Sequence, residues 1–585
     1  MRYRTVIAAT GLVLLGCSDD ASPPDAAPDL PVDVGSNDRS MGDAPPDLAV
    51  DQPVDLPPPD APCPDPGVTI APGIVVSPTN LSGQATVTYG PPAALAGSAN
   101  LTLHHAFNFW DLALTAGAAL DTPMTHKPDG TFEATVTLPA AAHLLDFVFF
   151  TQGATGKQWD NNAGEDYHRS VGVPYIGPYL TLRDNLTGTP PQPDRDPARS
   201  VMVSFVTDHP CQGRVRYGTS ASALPSAMAE SASGTHHHLV LTALAPDTVH
   251  HYQVSCIDPA VSCPLPQIAP IFSFRTARQS PSDVTFAVLS DPQDNRSANE
   301  HWKDVAQILT QPPHDDARFV LITGDLTGDD LPQRWWDFFD KGRALFASRP
   351  LVPAVGNHDT PGYTSSATAA SFDALFDFDS SSGSDLYHAL VHGPLTLLVL
   401  NSETSQVAPA DWKPGGAQYG WVASALAQTK TPWRFAAWHI PPYNTGTRHS
   451  GQGADTRPMT ALFDDKVDWV FCGHEHLYQR FKPLRFATSG PVATVVPSYG
   501  GPGGGVGYLV APVGGHDPPE SSLLGAADPL RSMLASPAGS EIAGDSLVNP
   551  FVGFVKVTVS GKSFQLTTHA LGQTTPRDQV SYTRP

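Results

Sequence analysis

Basic residues are scarce in this chain. Lys and Arg together number 34 in 585 residues, against 57 Asp and Glu, and the formal net charge is −23. Proteins hold nucleic acid largely by neutralising phosphates with Lys and Arg, so no nucleic-acid partner is expected. Charged residues of either sign make up only 16%, while Pro (60) and Gly (49) are abundant. That balance disfavours a helical bundle and favours a loop-rich, strand-rich exported protein. Beyond the N-terminus no stretch approaches the about 18 apolar residues that a membrane-spanning helix needs. Cysteine is also sparse, with residues 17, 63, 211, 256, 263 and 472 as the full set. In an exported chain Cys256 and Cys263 could close a small loop, with Cys211 as a rival partner, and spacing leaves the choice open. Cys472 adjoins a histidine motif that needs no thiolate, so it reads as a small buried residue.

The length is too great for one core and implies roughly three or four domains. The chain begins Met1-Arg2-Tyr3-Arg4 and continues with an apolar run from Val6 to Leu15. A basic start and a short apolar core make a signal peptide. Leu14-Leu15-Gly16-Cys17 resembles a bacterial lipobox. This implies a lipid anchor on Cys17 as the only membrane contact, and a location at the outer membrane, periplasm or cell surface. Ordinary cleavage beside a coincidental Cys is the other reading. Residues 19–66 hold 12 Asp and one basic residue, Arg39. With almost no aromatics, residues 18–66 cannot bury enough surface to offset their ordering entropy, and read as a disordered, self-repelling tether.

Residues 67–175 alternate in short strands such as Gln84–Tyr89 and Phe132–Leu138, which predicts a β-sandwich. Phe107-Asn108-Phe109-Trp110 and the later Trp159-Asp160-Asn161-Asn162 resemble the starch-binding carbohydrate-binding modules. The resemblance implies a glucan or other polysaccharide partner stacked on exposed aromatics; the alternative is that Trp110 and Trp159 are core residues. Residues 176–277 form a second alternating unit, and Leu244-Ala245-Pro246-Asp247-Thr248 before a tyrosine strand resembles a fibronectin type III domain, with the N-terminal domain of purple acid phosphatases as the nearest form.

Residues 283–585 change to a βαβ rhythm. Apolar strands are expected at Val284–Leu289, Phe319–Thr323, Leu395–Leu400, Arg434–Trp438 and Val467–Phe471, with a helix around Asn299–Leu309. Short polar motifs follow several of these runs: Ser290-Asp291-Pro292-Gln293, Gly324-Asp325, Gly356-Asn357-His358-Asp359, His439 and Gly473-His474-Glu475-His476. Separate strand ends that deliver Asp, Asn and His are what a two-metal site needs. Together and in this order, the motifs resemble the calcineurin-like metallophosphoesterase superfamily, and with the preceding β unit they look closest to purple acid phosphatases. The resemblance implies two sandwich domains followed by a four-layer α/β catalytic domain, a β-sandwich flanked by helices.

The same resemblance implies two metal ions and a small phosphate ester as substrate. It places Asp291, Asp325 and His476 on one cation, with Asp325 bridging to a second held by Asn357, His439 and His474. Imidazole mixed with carboxylate suits Fe, Zn or Mn better than Mg. His358 is expected to face the leaving-group oxygen as general acid or charge stabiliser, with Asp359 orienting its ring. Two departures from the family pattern stand out. Gln293 replaces a histidine common two residues after the first Asp; its amide oxygen could ligate, or the first cation could be held more loosely. Gly328 replaces the tyrosine found three residues after the bridging Asp in purple acid phosphatases. Tyr443 and Asn444 are expected near substrate, and Arg480 either meets phosphate or pairs with an acid. The glycine run 500–505 lacks a following Lys-Ser or Lys-Thr and reads as a turn near the active face rather than a phosphate loop. The expected activity is phosphomonoester hydrolysis by a metal-bridging hydroxide. A phosphodiesterase of the same superfamily, or a non-catalytic polysaccharide-binding surface protein, are the alternatives.

Overall fold

The computed structural model describes residue 65 and residues 67–584, except 93–94, 96–97, 99, 154–155, 165, 173, 187–191, 258–266, 281, 294–299, 362–368, 404–407, 489–491, 517–527 and 536–550. The expected signal peptide, most of the tether, Cys17, Cys63 and Cys263 lie outside the described residues. No described helix is long and apolar enough to cross a membrane.

The first part is built on β-strands, with two short 3-10 turns at Leu112–Thr115 and Asn162–Gly164. One five-stranded sheet runs in the order Val68–Ala71, Ile74–Ser82, Gln84–Tyr89, Phe132–Thr137, Thr125–His126, and a second holds Tyr167–Ser170, Leu144–Gly153, Leu101–Phe107 and Leu120–Pro123, with Gly156–Asp160 on its flank. Alternate residues of both meet in a single apolar cluster that includes Val76, Val87, Leu103, Phe147 and Phe149, as period-2 side-chain alternation dictates. The next sheet is organised by one long strand, Val201–Gly218, which pairs with Ile176–Thr181, Ser226–Ala229, Gly234–Leu241 and Val249–Ile257. Cys211 on that strand is disulfide-bonded to Cys256, with Cα atoms 5.8 Å apart. Of the two pairings open in the sequence, the structure forms the longer-range one, because antiparallel neighbours bring the two side chains together. Cys472 is buried and free.

Two six-stranded sheets follow. The first has the order Leu351–Pro353, Val320–Ile322, Asp283–Leu289, Gly553–Ser560, Ser563–Ala570, Asp578–Thr583; the second runs His388–His392, Leu395–Val399, Trp433–Ala437, Trp469–Cys472, Gly507–Val510, Gln479–Arg480. Val284, Phe286 and Val288 of the first share a core with Leu397, Val399, Phe435 and Phe471 of the second. Ala287 and Leu289, the alternate residues, pack with Trp302 and Val305 of the helix His301–Ile308 and with Trp335 and Phe338 of the helix Pro332–Lys341. On the second sheet Leu398, Ala436 and Val470 pack with Val422, Ala425 and Leu426 of the helix Ala417–Gln428. Strands covered on both faces must be apolar throughout, which is why these runs carry no alternation. Each large side chain fully buried here contributes roughly 1.5–3 kcal/mol.

Parallel register then sets up the functional edge. Leu289, Ile322 and Pro353 lie in one row of the first sheet. Val399, Ala437, Phe471 and Leu509 lie in one row of the second. Whatever follows these residues emerges on a common side, the carboxyl ends of the strands, where open α/β sheets place their sites. The glycine run 500–505 precedes Gly507, which pairs with Trp469 at the start of its strand. It therefore lies at the opposite edge, and its expected place near the active face is corrected.

Candidate metal centre

Asp291, Asp325 and His474 each leave their strand with φ between 48° and 68°, in the left-handed region. Non-glycine residues held there cost about 1–3 kcal/mol each, and such strain concentrates at functional sites. The turns bend sharply and aim their side chains into one space. Asp325 Oδ1, His439 Nε2 and His474 Nδ1 are the heart of it: His439 Nε2 lies 3.2 Å from Asp325 Oδ1, 3.2 Å from Asn357 Oδ1 and 3.2 Å from His474 Nδ1. Asp325, His439 and His474 place one ligand atom each within 4.8 Å of one another. Beside them His476 Nε2 approaches Asp291 Oδ1 at 3.4 Å, and the His474 backbone N–H donates to Asp291 Oδ2 at 3.1 Å. Gly356 permits the closest of these approaches: a Cβ there would collide with the backbone nitrogen and the carboxylate of Asp325.

The far sides of the rings are tied down. His439 Nδ1 donates to the Thr323 carbonyl at 2.9 Å, which leaves Nε2 for the centre. His474 Nε2 bonds Gln452 Oε1, which leaves Nδ1. Such partners fix tautomer and ring direction in metal-ligating histidines. Burial pushes Asp325 up, but the charges of His439 and His358 outweigh it and hold the carboxylate well below its usual range. Burial likewise opposes charge on His439, yet Asp325 wins and raises it to about 10. Burial, with His439 and His449 close by, holds His474 neutral. A cation binding here would displace the proton that Asp325 and His439 retain between them.

The donor set fits divalent or trivalent cations. Oxygen and imidazole nitrogen are gathered in a buried pocket, and among the described residues neither Asp291 Oδ1 nor His476 Nδ1 takes part in a hydrogen bond, although both are buried. A carboxylate oxygen at such depth with only the His476 ring 3.4 Å away is weakly paired, which is costly unless something cationic faces it.

Residues 284–478 match the calcineurin-like phosphoesterase family. This part of the chain is a calcineurin-like phosphoesterase domain. A probable purple acid phosphatase 20 of Arabidopsis thaliana is 28% identical over 317 residues, which is 50% of this chain and 69% of that protein. Purple acid phosphatase 22 of the same plant is 30% identical over 261 residues, 43% of this chain and 54% of that protein. The chain thus spans between about half and about two thirds of these relatives. Among solved structures, purple acid phosphatase PPD1 from yellow lupin (Lupinus luteus) seeds shares the fold with a TM-score of 0.53 and 15% identity, over 86% of this chain and 93% of that one.

Within the phosphoesterase domain, several residues singled out in the sequence do other work. Gln293 turns its amide nitrogen to Asp325 Oδ2 at 3.2 Å, so it steadies the shared carboxylate as a donor. His358 Nδ1 donates to the Gly328 carbonyl at 2.8 Å, and Nε2 lies 3.9 Å from Asp325 Oδ2. Asp359 does not hold that ring. Its two oxygens accept the Thr327 and Gly356 backbone N–H groups, each at 2.9 Å, and clamp the 325–328 loop to the 356–359 turn. Arg480 pairs with an acid: Nε and Nη2 reach Asp578 at 2.6 and 2.9 Å, and Nη1 reaches the Tyr499 hydroxyl. Tyr443 is 1% exposed and packs in the core, with its hydroxyl on Thr460. Asn444 donates to Glu475 Oε2 at 2.7 Å and accepts from Gln479, so it braces the Gly-His-Glu-His turn. Both residues are corrected from substrate contacts to structural supports. Sequence reasoning missed His449, whose ring stacks on His474 at 3.9 Å, and Gln452. His449 lies in a turn and Gln452 opens the short 3-10 turn Gln452–Ala454, and the available signal was the polar run that follows His439-Ile440-Pro441-Pro442.

Proposed function

We propose that the chain is a dinuclear-metal phosphohydrolase that cleaves small phosphomonoesters. The observation that carries this is the meeting, in one buried pocket, of Asp291, Asp325, Asn357, His439, His474 and His476 from five separate strand-end loops. Asp291, Asp325 and His476 would hold one cation, and Asp325, Asn357, His439 and His474 the other. Bound cations supply neutralisation of the phosphoryl oxygens and an acidified water. The chain supplies the rest. His358, fixed through Nδ1 by the Gly328 carbonyl, would present Nε2 to the leaving-group oxygen and deliver a proton there. Asp359, through its two backbone hydrogen bonds, keeps the His358 turn and the Asp325 loop in register.

A four-layer arrangement, with helices outside two facing sheets, is the architecture that best accounts for the three apolar clusters of the phosphoesterase domain. The fibronectin-like reading of residues 176–277, export and a lipid anchor at Cys17 complete the picture: an enzyme tethered outside the membrane. A polysaccharide contact through residues 67–175 is supported by Trp159. Its ring is 44% exposed and lies 4.8 Å from Phe150 and 5.4 Å from His104, with Lys157 Nζ over the Phe150 ring. The phosphodiesterase alternative is read from the same assay, by comparing bis(p-nitrophenyl) phosphate with p-nitrophenyl phosphate.

The test is hydrolysis of p-nitrophenyl phosphate by purified protein before chelation, after chelation, and after Zn, Mn or Fe is returned. Activity that disappears and returns with metal is expected. Activity indifferent to chelator and metal refutes the reading. Retention on a glucan column, lost in Trp159→Ala, checks the polysaccharide contact separately.

A further inference from the structure

The half of the centre built on Asp291 and His476 has fewer donors than its neighbour. At the two positions where the family resemblance leads one to expect a further ligand, this chain has Gln293 and Gly328. Gln293 points its amide nitrogen, which cannot ligate, at Asp325, and Gly328 has no side chain. A different segment arrives at the same place. After the Gly507–Val510 strand, Val513 bridges in parallel to Ser290. The Gly514 N–H donates to the Ser290 carbonyl at 2.6 Å, and the Gly515 and His516 N–H groups both donate to the Asp291 carbonyl, at 3.3 and 3.2 Å. The segment is laid directly against the backbone that bears Asp291. Gly515 makes this possible, since a Cβ there would strike the Pro292 carbonyl. The half-buried imidazole of His516 then lies with its ring centroid 4.0 Å from that of His476.

We propose that His516 is a ligand of the cation held by Asp291 and His476, an imidazole delivered by a remote loop in place of the absent histidine and tyrosine. Nothing in the local motifs signals it, because His516 lies 40 residues beyond His476. An imidazole there keeps the nitrogen–oxygen character of the pocket and suits the same class of divalent or trivalent ions. The inference rests on the dinuclear reading above.

The experiment is a metal titration of chelated, refilled full-length protein, read by calorimetry and by elemental analysis after desalting, so that it does not depend on turnover. Wild type should take up about two equivalents. His516→Ala and His516→Gln should keep the first and bind the second at least roughly 10-fold more weakly, since even indirect supports of a metal site are worth about 10–100-fold in affinity. Circular dichroism and the retained first equivalent report folding. Loaded with ferric iron, His516→Tyr should gain a visible phenolate-to-iron charge-transfer band that wild type lacks. The proposal is overturned if the Ala or Gln variant binds both equivalents as tightly as wild type, or if the folded His516→Tyr protein stays colourless with iron bound. If wild type itself takes up fewer than two equivalents, it is the dinuclear reading that fails.

Discussion

The two halves of the proposed centre share Asp325 and differ in almost everything else. Around His439 and His474, ligand atoms from different strands already stand 3.2 Å apart, with both rings locked from behind by Thr323 and Gln452. Around Asp291 and His476 the approach is looser, at 3.4 Å, and buried polar atoms remain without hydrogen bonds among the described residues. Both halves start from sheet ends, and in the first the rings are also held from behind. The second depends on a loop after the last parallel strand. The lesson is that one carboxylate can join a stiff site to a compliant one, and that affinity should differ accordingly.

The strongest way to break the comparison is to remove what the halves share. Asp325→Ala should abolish binding at both and lower kcat/KM by at least roughly 10³-fold, seen in p-nitrophenyl phosphate assays alongside metal content. Next, His358→Ala should cut kcat roughly 10²–10⁴-fold while two equivalents of metal remain; loss of metal instead would make His358 a ligand. Stepwise chelation should then separate the halves, with His439→Ala erasing the tighter of two binding steps that differ at least ~10-fold in wild type.

Arg480→Ala is the control that lies outside both halves. It strands the buried Asp578 and should cost about 3–5 kcal/mol of stability, seen as a lower denaturation midpoint, with KM unchanged. Burial pushes Asp578 up, but Arg480 and Tyr478 outweigh it and hold it below the ordinary carboxylate range. The pair therefore stabilises the protein above about pH 4, and that contribution fades as the pH falls further; the variant should lack this acid-side loss. The smallest effect is a gain: Gln293→His should tighten the compliant half by about tenfold.

What was legible in the sequence follows from the same geometry. Short buried strands in parallel register end in one row, so a candidate ligand one to three residues past an apolar run announces its own position: Asp291 after Leu289, Asp325 after Ile322, His439 after Ala437, His474 after Cys472. The exposure of Trp159 was not legible, because composition cannot tell an exposed Trp from a buried one. Contacts between residues far apart in the chain were not legible. Asp578 meets Arg480 from 98 residues away, His449 and Gln452 reach His474 from a turn and a single 3-10 turn too short to show periodicity, and Cys211 finds Cys256 only through strand pairing. Tyr443 and Asn444 were misread for a related reason: nearness to a ligand along the chain does not say which way a side chain turns.

The glycine at position 356 has a consequence for which elements the enzyme can use. The turn lies so close to Asp325 that no side chain can stand between them, so the carboxylate is hemmed in on that side. In the proposed centre, adjustment to ionic radius would then fall on the Asp291 side. Such a centre is suited to a mixed pair, a strictly chosen ion beside one that varies with supply, and growth on different trace elements should change one occupant and leave the other constant.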